Sequence, residues 1–546
     1  MKSMTYKLDF NERADSKPQW LSQFELKTDE LWRYPDRGQL EQQMADDMGL
    51  QSGSMLLTNG GDESIELLYK KCKLENQSLI IPEPCFSQYT HNQSIWQNET
   101  VFIPGCDDLS IDIDALKAEL KTNQWLILTR PNNPTGEYLA VEVLLDLIQT
   151  AGKQGAYVFL DEAYVEFANE DSPIDYTAFD NLVTLRTFSK AYGLAGARVG
   201  YIFGEPELIQ QFRRLAMPFN VSRANLQLAA AAWDARGEVG EYTQRIAKNR
   251  AIIHQLLEIA GLKPFPSQGN FVLFETHPLQ KQLMVSVLNK AGIQIKAELG
   301  GLPQAIRITI PEKLEPLQQA LQLVLQPQVL AFDMDGVLID TSNSYDTCIK
   351  QTVQILTGQT ITQQQVEAIR AEGGYNNDWV LAAELIKRQG VEVPFDQVVD
   401  VFQKLYLGDE QQVGLRLQEQ NLLAGSLKAK LDKLSQTTYQ AVVTGRPRAE
   451  AVMGVAQLAI KPDVIISADD VLEQKPNPEG LFKVLKNAQS QRGWFCGDTV
   501  DDMQAGTQAG CVCIGIGANT AEAKQNLLQA GADVVLADIN QLETLL

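Results

Sequence analysis

In both halves of the chain, short runs of apolar residues alternate with longer stretches in which apolar positions recur every three or four residues. The short runs suit strands buried on both faces, and the longer stretches suit amphipathic helices. The pattern therefore predicts α/β architecture with mainly parallel sheets. In the first half WLILT (125–129), AYVFL (156–160) and LVTLR (182–186) read as strands. In SIELLYKKC, Ile65, Leu68, Tyr69 and Cys72 share one helix face. In the second half VLAFD, QAVVT, DVIIS, GWFCGD, CVCIGIG and DVVLAD read as strands too. Many of these runs end in a polar residue followed by turn chemistry, which is where open α/β sheets place their ligands.

The chain has 546 residues, too many for one hydrophobic core. KLEPLQQALQLVLQ reads as a closing helix and VLAFDMDG as a fresh strand, which puts a boundary near Gln326-Pro327-Gln328. The expected domains are 1–326 and 327–546. Within the second, 327–341 and 431–546 form the core, and the helical stretch 342–430 forms a cap over it. The polar and aromatic patch GGYNNDW (373–379) in that cap is either an interhelical loop or a substrate-recognition segment.

A formal charge of -22, with no basic cluster, argues against partners such as nucleic acid or anionic membrane. No run approaches the ~18 apolar residues of a membrane span, and MKSMTYKLDFNERAD lacks the apolar core of a signal peptide. A cytoplasmic location is expected. The seven cysteines show no paired zinc-type spacing, and Cys511 and Cys513 fall in an apolar strand-like run. With only three histidines, His91, His254 and His277, the chemistry must rest mainly on Lys, Asp, Tyr and Arg.

Four segments of the first half bring such residues to element ends. TFSKAYGLAGARVGY (187–201) carries Ser189, Lys190 and Arg198 around a glycine-rich turn. AYVFL delivers Asp161, followed by Tyr164. RPNNPTG (130–136) holds Asn133 on a proline turn, and NGGDESIELL (59–68) puts Gly60 and Gly61 ahead of an amphipathic helix whose start suits a phosphate. Singly each is an ordinary turn or surface residue. A PLP (pyridoxal 5'-phosphate) enzyme requires a phosphate cradle, an acid and a lysine, and here they follow one another along the chain, each at a strand or helix end.

Together these segments resemble the fold-type-I aminotransferases, most closely the histidinol-phosphate aminotransferase branch, over residues 6 to 325. The resemblance implies a large, mainly parallel sheet domain with a small α/β domain, and it assigns roles. Lys190 bonds the cofactor covalently and shuttles the proton. Asp161 keeps the pyridine nitrogen protonated, Tyr164 and Asn133 hold the ring oxygen, and Phe86 stacks on the ring. Gly61, Asp62, Ser189 and Arg198 bind the cofactor phosphate. Tyr34, in RYPD, reaches the neighbouring subunit's site, which implies a homodimer. Arg307, in AIRIT, grips a substrate anion, and Asn270 is a further substrate-binding candidate. The chain departs from the family at NERADSKPQW, at Lys296 where a second substrate arginine is usual, and at the proline ending ITIPEK.

In the second half, AFDMDGVLIDT (331–341) sets Asp333 and Asp335 two positions apart after a strand. VVTGRP supplies Thr444 and Gly445, EQKPNP supplies Lys475, and WFCGDTVDDMQAG supplies Asp498, Asp501 and Asp502, hard oxygen ligands appropriate to Mg²⁺. A lone acidic pair is commonly a solvated turn, but four motifs in this order resemble the haloacid-dehalogenase (HAD) superfamily. That resemblance implies a Rossmann-like core with an α-helical cap. Asp333 is then the nucleophile, Asp335 the acid and base, and Thr444, Gly445 and Lys475 the phosphoryl contacts. Mg²⁺ lies among Asp333, the Asp335 carbonyl, Asp498 and Asp502. An acid at position 335 favours a phosphatase.

The sequence thus points to a bifunctional enzyme. It would transaminate a small, phosphorylated amino compound such as histidinol phosphate and hydrolyse a phosphomonoester through an aspartyl-phosphate. One alternative is a PLP-dependent decarboxylase of a phospho-amino acid, like threonine-phosphate decarboxylase, with a phosphatase of unrelated substrate. Another is that one domain is a non-catalytic scaffold.

Overall fold

The computed structural model describes residues 6–169, 174–372, 375, 377–458, 460–518 and 520–546. They form two compact units, Met1–Thr276 with Gly292–Gln318, and His277–Ala291 with Gln319–Leu546.

A seven-stranded sheet centres the first unit. Its spatial order is Met55–Thr58, Gly200–Gly204, Leu182–Thr187, Tyr157–Asp161, Gln124–Thr129, Ser78–Pro82 and Thr100–Ile103. Every pairing is parallel except the two made by Gly200–Gly204. Strand alternation splits each apolar run between two cores. Trp125, Ile127 and Phe159 pack with Ile65, Leu68 and Phe212 on one face. Leu126, Leu128, Val158 and Leu160 pack with Leu144, Leu147 and Ile148 on the other. This two-sided burial is why the strands read as unbroken apolar runs, and each such side chain contributes on the order of 2 kcal/mol. A smaller set of strands joins this unit. Tyr6–Leu8 runs parallel to Ile293–Ile295, and Phe271–Glu275 runs antiparallel to Ala305–Thr309.

The second unit holds a six-stranded, all-parallel sheet. Its order is Val464–Ile466, Tyr439–Val443, Val329–Phe332, Gly493–Gly497, Val512–Ile516 and Val534–Leu536. The chain builds outward on one side of Val329–Phe332 and then on the other. Asp333 therefore sits at the point where the winding reverses, the usual ligand crevice of such sheets. Ile339–Asp340 pairs antiparallel with Gln420–Asn421, so the chain leaves and re-enters the core side by side. Between them the helices Tyr345–Thr357, Gln363–Glu372, Asp378–Arg388 and Phe395–Leu407 form a cap with its own core around Ile349, Leu385 and Phe402. The helix Pro278–Lys290 also belongs to this unit, with Lys290 Nζ 2.6 Å and Ser286 Oγ 2.7 Å from the buried Asp533 carboxylate. Cys513 lies buried in its strand and Cys511 half-buried just before it, and burial pushes both thiols up to about 12. Among the described residues, no helix is long and apolar enough to cross a membrane.

Candidate active sites

In the first unit, the sheet's strand ends open into a cavity of about 1010 Å³. Gly61, Asp62, Phe86, Asn133, Asp161, Tyr164, Ser189, Lys190, Arg198 and Arg307 all line it. Asp161, the last residue of its strand, is 4% exposed and accepts hydrogen bonds from the Tyr89 hydroxyl at 2.7 Å and the Ala163 N–H at 3.0 Å. Neither donor is a cation. Burial pushes the Asp161 carboxyl up to about 6, against the pull of those two bonds. A protonated pyridine nitrogen is the positive partner this buried acid lacks, so the floor of the cavity fits the PLP ring.

Lys190 faces the same space. Its Nζ donates to the Phe10 carbonyl at 2.9 Å and lies 5.5 Å from the Tyr164 ring centre. The Tyr164 hydroxyl accepts from Asn133 Nδ2 at 3.3 Å and Asn11 Nδ2 at 3.2 Å, so the two side chains expected at the ring oxygen meet. At the opposite end the helix Gly60–Glu75 begins beside Arg198, which donates to Asp62 at 2.8 Å and to Ser189 at 3.4 Å. Gly60 has φ +72°, and a Cβ there would collide with the Arg198 guanidinium. Free backbone N–H groups, a hydroxyl and an arginine together suit a phosphate.

Arg307 is 7% exposed and donates to Asn133 Oδ1 at 2.5 Å and to the Asp9 carbonyl at 2.8 Å. Burial lowers its pKa, opposed by Tyr164 and Asp9. Lys296 exchanges backbone hydrogen bonds with Arg307, and its side chain also lines the cavity. Asn270 does not line it. Fully buried, it donates to the Asn11 carbonyl at 3.1 Å from behind. Tyr34 is 77% exposed, stacks on Phe219 at 4.4 Å, and does not line its own chain's cavity.

In the second unit a cavity of about 240 Å³ lies between core and cap. Asp333 follows its strand directly and accepts from Lys475 Nζ at 2.6 Å, and the same ammonium lies 2.6 Å from Asp502. Burial opposes the lysine's charge, but Asp333 and Asp502 outweigh it and hold the ammonium protonated. Carboxylate oxygens of Asp333, Asp498 and Asp502 lie within 4.8 Å of one another. Asp498 Oδ1 is buried without a hydrogen-bond partner, and burial, followed by Asp502 and Asp333, pushes its carboxyl well above the usual range. Three converging carboxylates against one lysine, with one oxygen unpartnered, form a donor set that fits Mg²⁺. Gly336, at φ +73°, makes the approach possible, since a Cβ would stand 2.0 Å from Asp498 Oδ2. Thr444 is buried at the end of its strand and accepts from the Arg446 N–H, and Gly445 lines the cavity.

The cap supplies the rest of the wall. Of GGYNNDW, residues 373, 374 and 376 lie outside the described residues, while Tyr375, Asn377, Asp378 and Trp379 line the cavity. Arg370 crosses from Asp346 at 2.7 Å to Asp378 at 2.9 Å. Three functional neighbours escaped the motif reading. Tyr89 bonds Asp161 from one helical turn beyond Phe86. Asn11 braces Tyr164. Arg446, directly after Thr444-Gly445, holds Asp335 through its Nε at 2.9 Å and its Nη2 at 2.6 Å. Only the Arg446 position carried a signal in sequence, namely its adjacency to a phosphoryl-binding turn.

Residues 6–321 match the family model "Aminotransferase class I and II", and residues 330–516 match "Haloacid dehalogenase-like hydrolase". The chain belongs to the class I and II aminotransferases, and a haloacid dehalogenase-like hydrolase domain follows in the same polypeptide. The histidinol-phosphate aminotransferase of Bacillus velezensis is 33% identical over 298 residues, 52% of this chain and 81% of the relative. That of Chlorobaculum tepidum is 32% identical over 308 residues, 54% of this chain and 86% of the relative. Among solved structures, histidinol-phosphate aminotransferase from Sinorhizobium meliloti in complex with pyridoxal-5'-phosphate aligns with a TM-score of 0.52 at 25% identity, covering 59% of this chain and 90% of that one. L-threonine-O-3-phosphate decarboxylase from Porphyromonas gingivalis shares the fold, with a TM-score of 0.50 at 22% identity over 58% of this chain and 98% of that one.

Proposed function

We propose that the first unit transaminates a small phosphorylated amino compound with pyridoxal 5'-phosphate, and that the second hydrolyses a phosphomonoester with Mg²⁺. Histidinol phosphate is the substrate to try first, because the curated relatives compared above carry that activity in their names. The observation that carries the aminotransferase reading is the buried Asp161 carboxylate sharing one cavity with Lys190. When bound, the cofactor supplies the electron sink for negative charge at the substrate's Cα. Asp161 holds the proton on the ring nitrogen, Lys190 moves the proton at Cα, and Asn133 with Tyr164 orients the ring oxygen. Arg307 and Lys296 offer two cations to an anionic end of the substrate.

In the second unit, Mg²⁺ held by Asp333, Asp498 and Asp502, with the Asp335 carbonyl, would screen the phosphoryl group's charge. The Asp333 carboxylate attacks phosphorus while Asp335 gives a proton to the departing alcohol oxygen. Asp335 then takes a proton from the water that attacks phosphorus, releasing phosphate and freeing Asp333. Lys475, Thr444 and the Gly445 N–H stabilise the charge in transit. The pairing of Asp333 with Lys475 beside the acidic triad supports this reading.

The chain is further proposed to act as a homodimer in the cytoplasm, with Tyr34 completing the partner's cofactor site. Its exposure beside Trp32, at 75%, and Phe219, at 53%, supports that placement. The test is incubation of the full chain with histidinol phosphate, 2-oxoglutarate and Mg²⁺. Glutamate and inorganic phosphate should both appear. Carbon dioxide release independent of keto acid would instead favour decarboxylation, and absence of both products sinks the histidinol phosphate assignment.

A further inference from the structure

The Arg446 guanidinium is 98% buried by its side chain, and all five of its N–H groups have acceptors. Nε–H points to Asp335, at 2.9 Å from Oδ1 and 3.1 Å from Oδ2. Nη2 divides its two hydrogens between Asp335 Oδ1 at 2.6 Å and Glu419 Oε1 at 2.9 Å. Nη1 divides its pair between the Tyr406 hydroxyl at 3.0 Å and Glu419 Oε2 at 3.3 Å. The Tyr345 ring lies 4.8 Å from the guanidinium carbon.

The partners fall into two groups. Asp335 belongs to the catalytic loop of the core. Glu419 stands next to the strand Gln420–Asn421 by which the cap's chain returns. It also accepts from Ser344, at the start of the first cap helix, and from Tyr406, in the last. Both connections between cap and core therefore meet on Glu419, and Arg446 links Glu419 to the carboxylate of Asp335. A planar fork with both ends occupied fixes its own orientation and that of what it grips.

We propose that Arg446 is a positioning residue of the phosphatase. It aims the Asp335 carboxylate at the leaving-group oxygen, and Glu419 couples that aim to the seating of the cap. The inference rests on the phosphatase reading above. It assigns Arg446 no contact with substrate or metal. Its effect passes through Asp335 alone, so in the step that forms the aspartyl-phosphate it should matter only where the leaving oxygen needs a proton.

Removing the guanidinium outright would leave Glu419 buried without a cation, so Arg446→Lys is the main variant, with Glu419→Gln as the second. Hydrolysis of an alkyl phosphomonoester (O-phosphoserine) and of p-nitrophenyl phosphate is measured on the full chain with saturating Mg²⁺, in wild type, R446K, E419Q, D335N and R446K/D335N. Nitrophenolate leaves without a proton. R446K should therefore lower kcat/KM, which reports aspartyl-phosphate formation, on the alkyl ester by about 10- to 100-fold, part of the span of general acid catalysis, and on p-nitrophenyl phosphate by less than about threefold. E419Q should act in the same direction more weakly. In the D335N background R446K should add almost nothing, the non-additivity expected of two residues acting as one. Equal losses on both esters, no loss on either, or full additivity with D335N would overturn the proposal. Wild-type protein that releases phosphate from neither ester nor from histidinol phosphate contradicts the phosphatase reading itself and takes this inference with it, a result separable from an active wild type with an indifferent R446K.

Discussion

Lys475 Nζ stands 2.6 Å from Asp333 and 2.6 Å from Asp502, so one buried ammonium ties the carboxylate proposed as nucleophile to an acid of the proposed metal site. Three carboxylates and one cation leave an excess of negative charge in a cleft closed off by the cap, and a divalent ion is the natural complement. Chelation with EDTA should therefore lower the melting temperature of the full chain's second transition. Mg²⁺ at about 100 times its Kd should restore about 2.7 kcal/mol of stability to that unit. Asp498→Ala should abolish the stabilisation along with phosphate release. Calorimetry with and without Mg²⁺ checks both, and an unchanged thermogram refutes the metal site.

Asp161 carries a pH prediction. Burial raises its carboxyl to about 6, so the apo protein holds a proton there that the unfolded chain releases near the ordinary carboxylate value. The sign follows: this group destabilises the apo fold as pH rises through about 6, and the effect is absent below the unfolded value. The ionised form is the one that pairs with a protonated ring nitrogen. PLP affinity should accordingly fall below about pH 6. Tyr89→Phe deletes a hydrogen bond that favours the carboxylate and should move that fall upward by about one pH unit. Fluorescence titration of PLP from pH 5 to 8 decides it, and coincident profiles for wild type and Tyr89→Phe count against this role for Tyr89.

Tyr34 offers a complementation test. If it completes the partner's site, Lys190→Ala and Tyr34→Ala chains expressed together form hybrid dimers in which one cofactor site has Lys190 and the partner's tyrosine. Transamination should then exceed that of either variant alone. Two inactive variants that stay inactive in the mixture, while eluting as dimers, would place Tyr34 outside the site.

Residues at strand ends were legible in sequence because a strand buried on both faces reads as an apolar run whose end is easy to see. Asp161, Asp333 and Thr444 each follow such a run, and Lys190 comes shortly after another. What stayed hidden depends on pairs far apart in the chain. Arg446 is 111 residues from Asp335 and 27 from Glu419, and its place directly after Thr444-Gly445 reveals neither partner. Tyr89 reads as one more polar-tipped residue of a short helix until the fold brings Asp161, 72 positions later, against its hydroxyl. Asn270 shows the opposite case, a polar residue beside a strand that braces Asn11 rather than facing the cavity. Cap helices hide their purpose for the same reason, since periodicity reports the face turned to their own core and not the one turned to a ligand.

The central claim is that one chain carries two separate catalytic centres, one built on Lys190 and the other on Asp333. Its most direct test is to measure glutamate formation and phosphate release side by side in wild type, Lys190→Ala and Asp333→Asn, each as the full chain and each confirmed folded. Lys190→Ala should lose transamination and the visible absorbance of lysine-bound cofactor while releasing phosphate at the wild-type rate, and Asp333→Asn should do the reverse. Loss of both activities from either single substitution in a folded protein would contradict two separate centres.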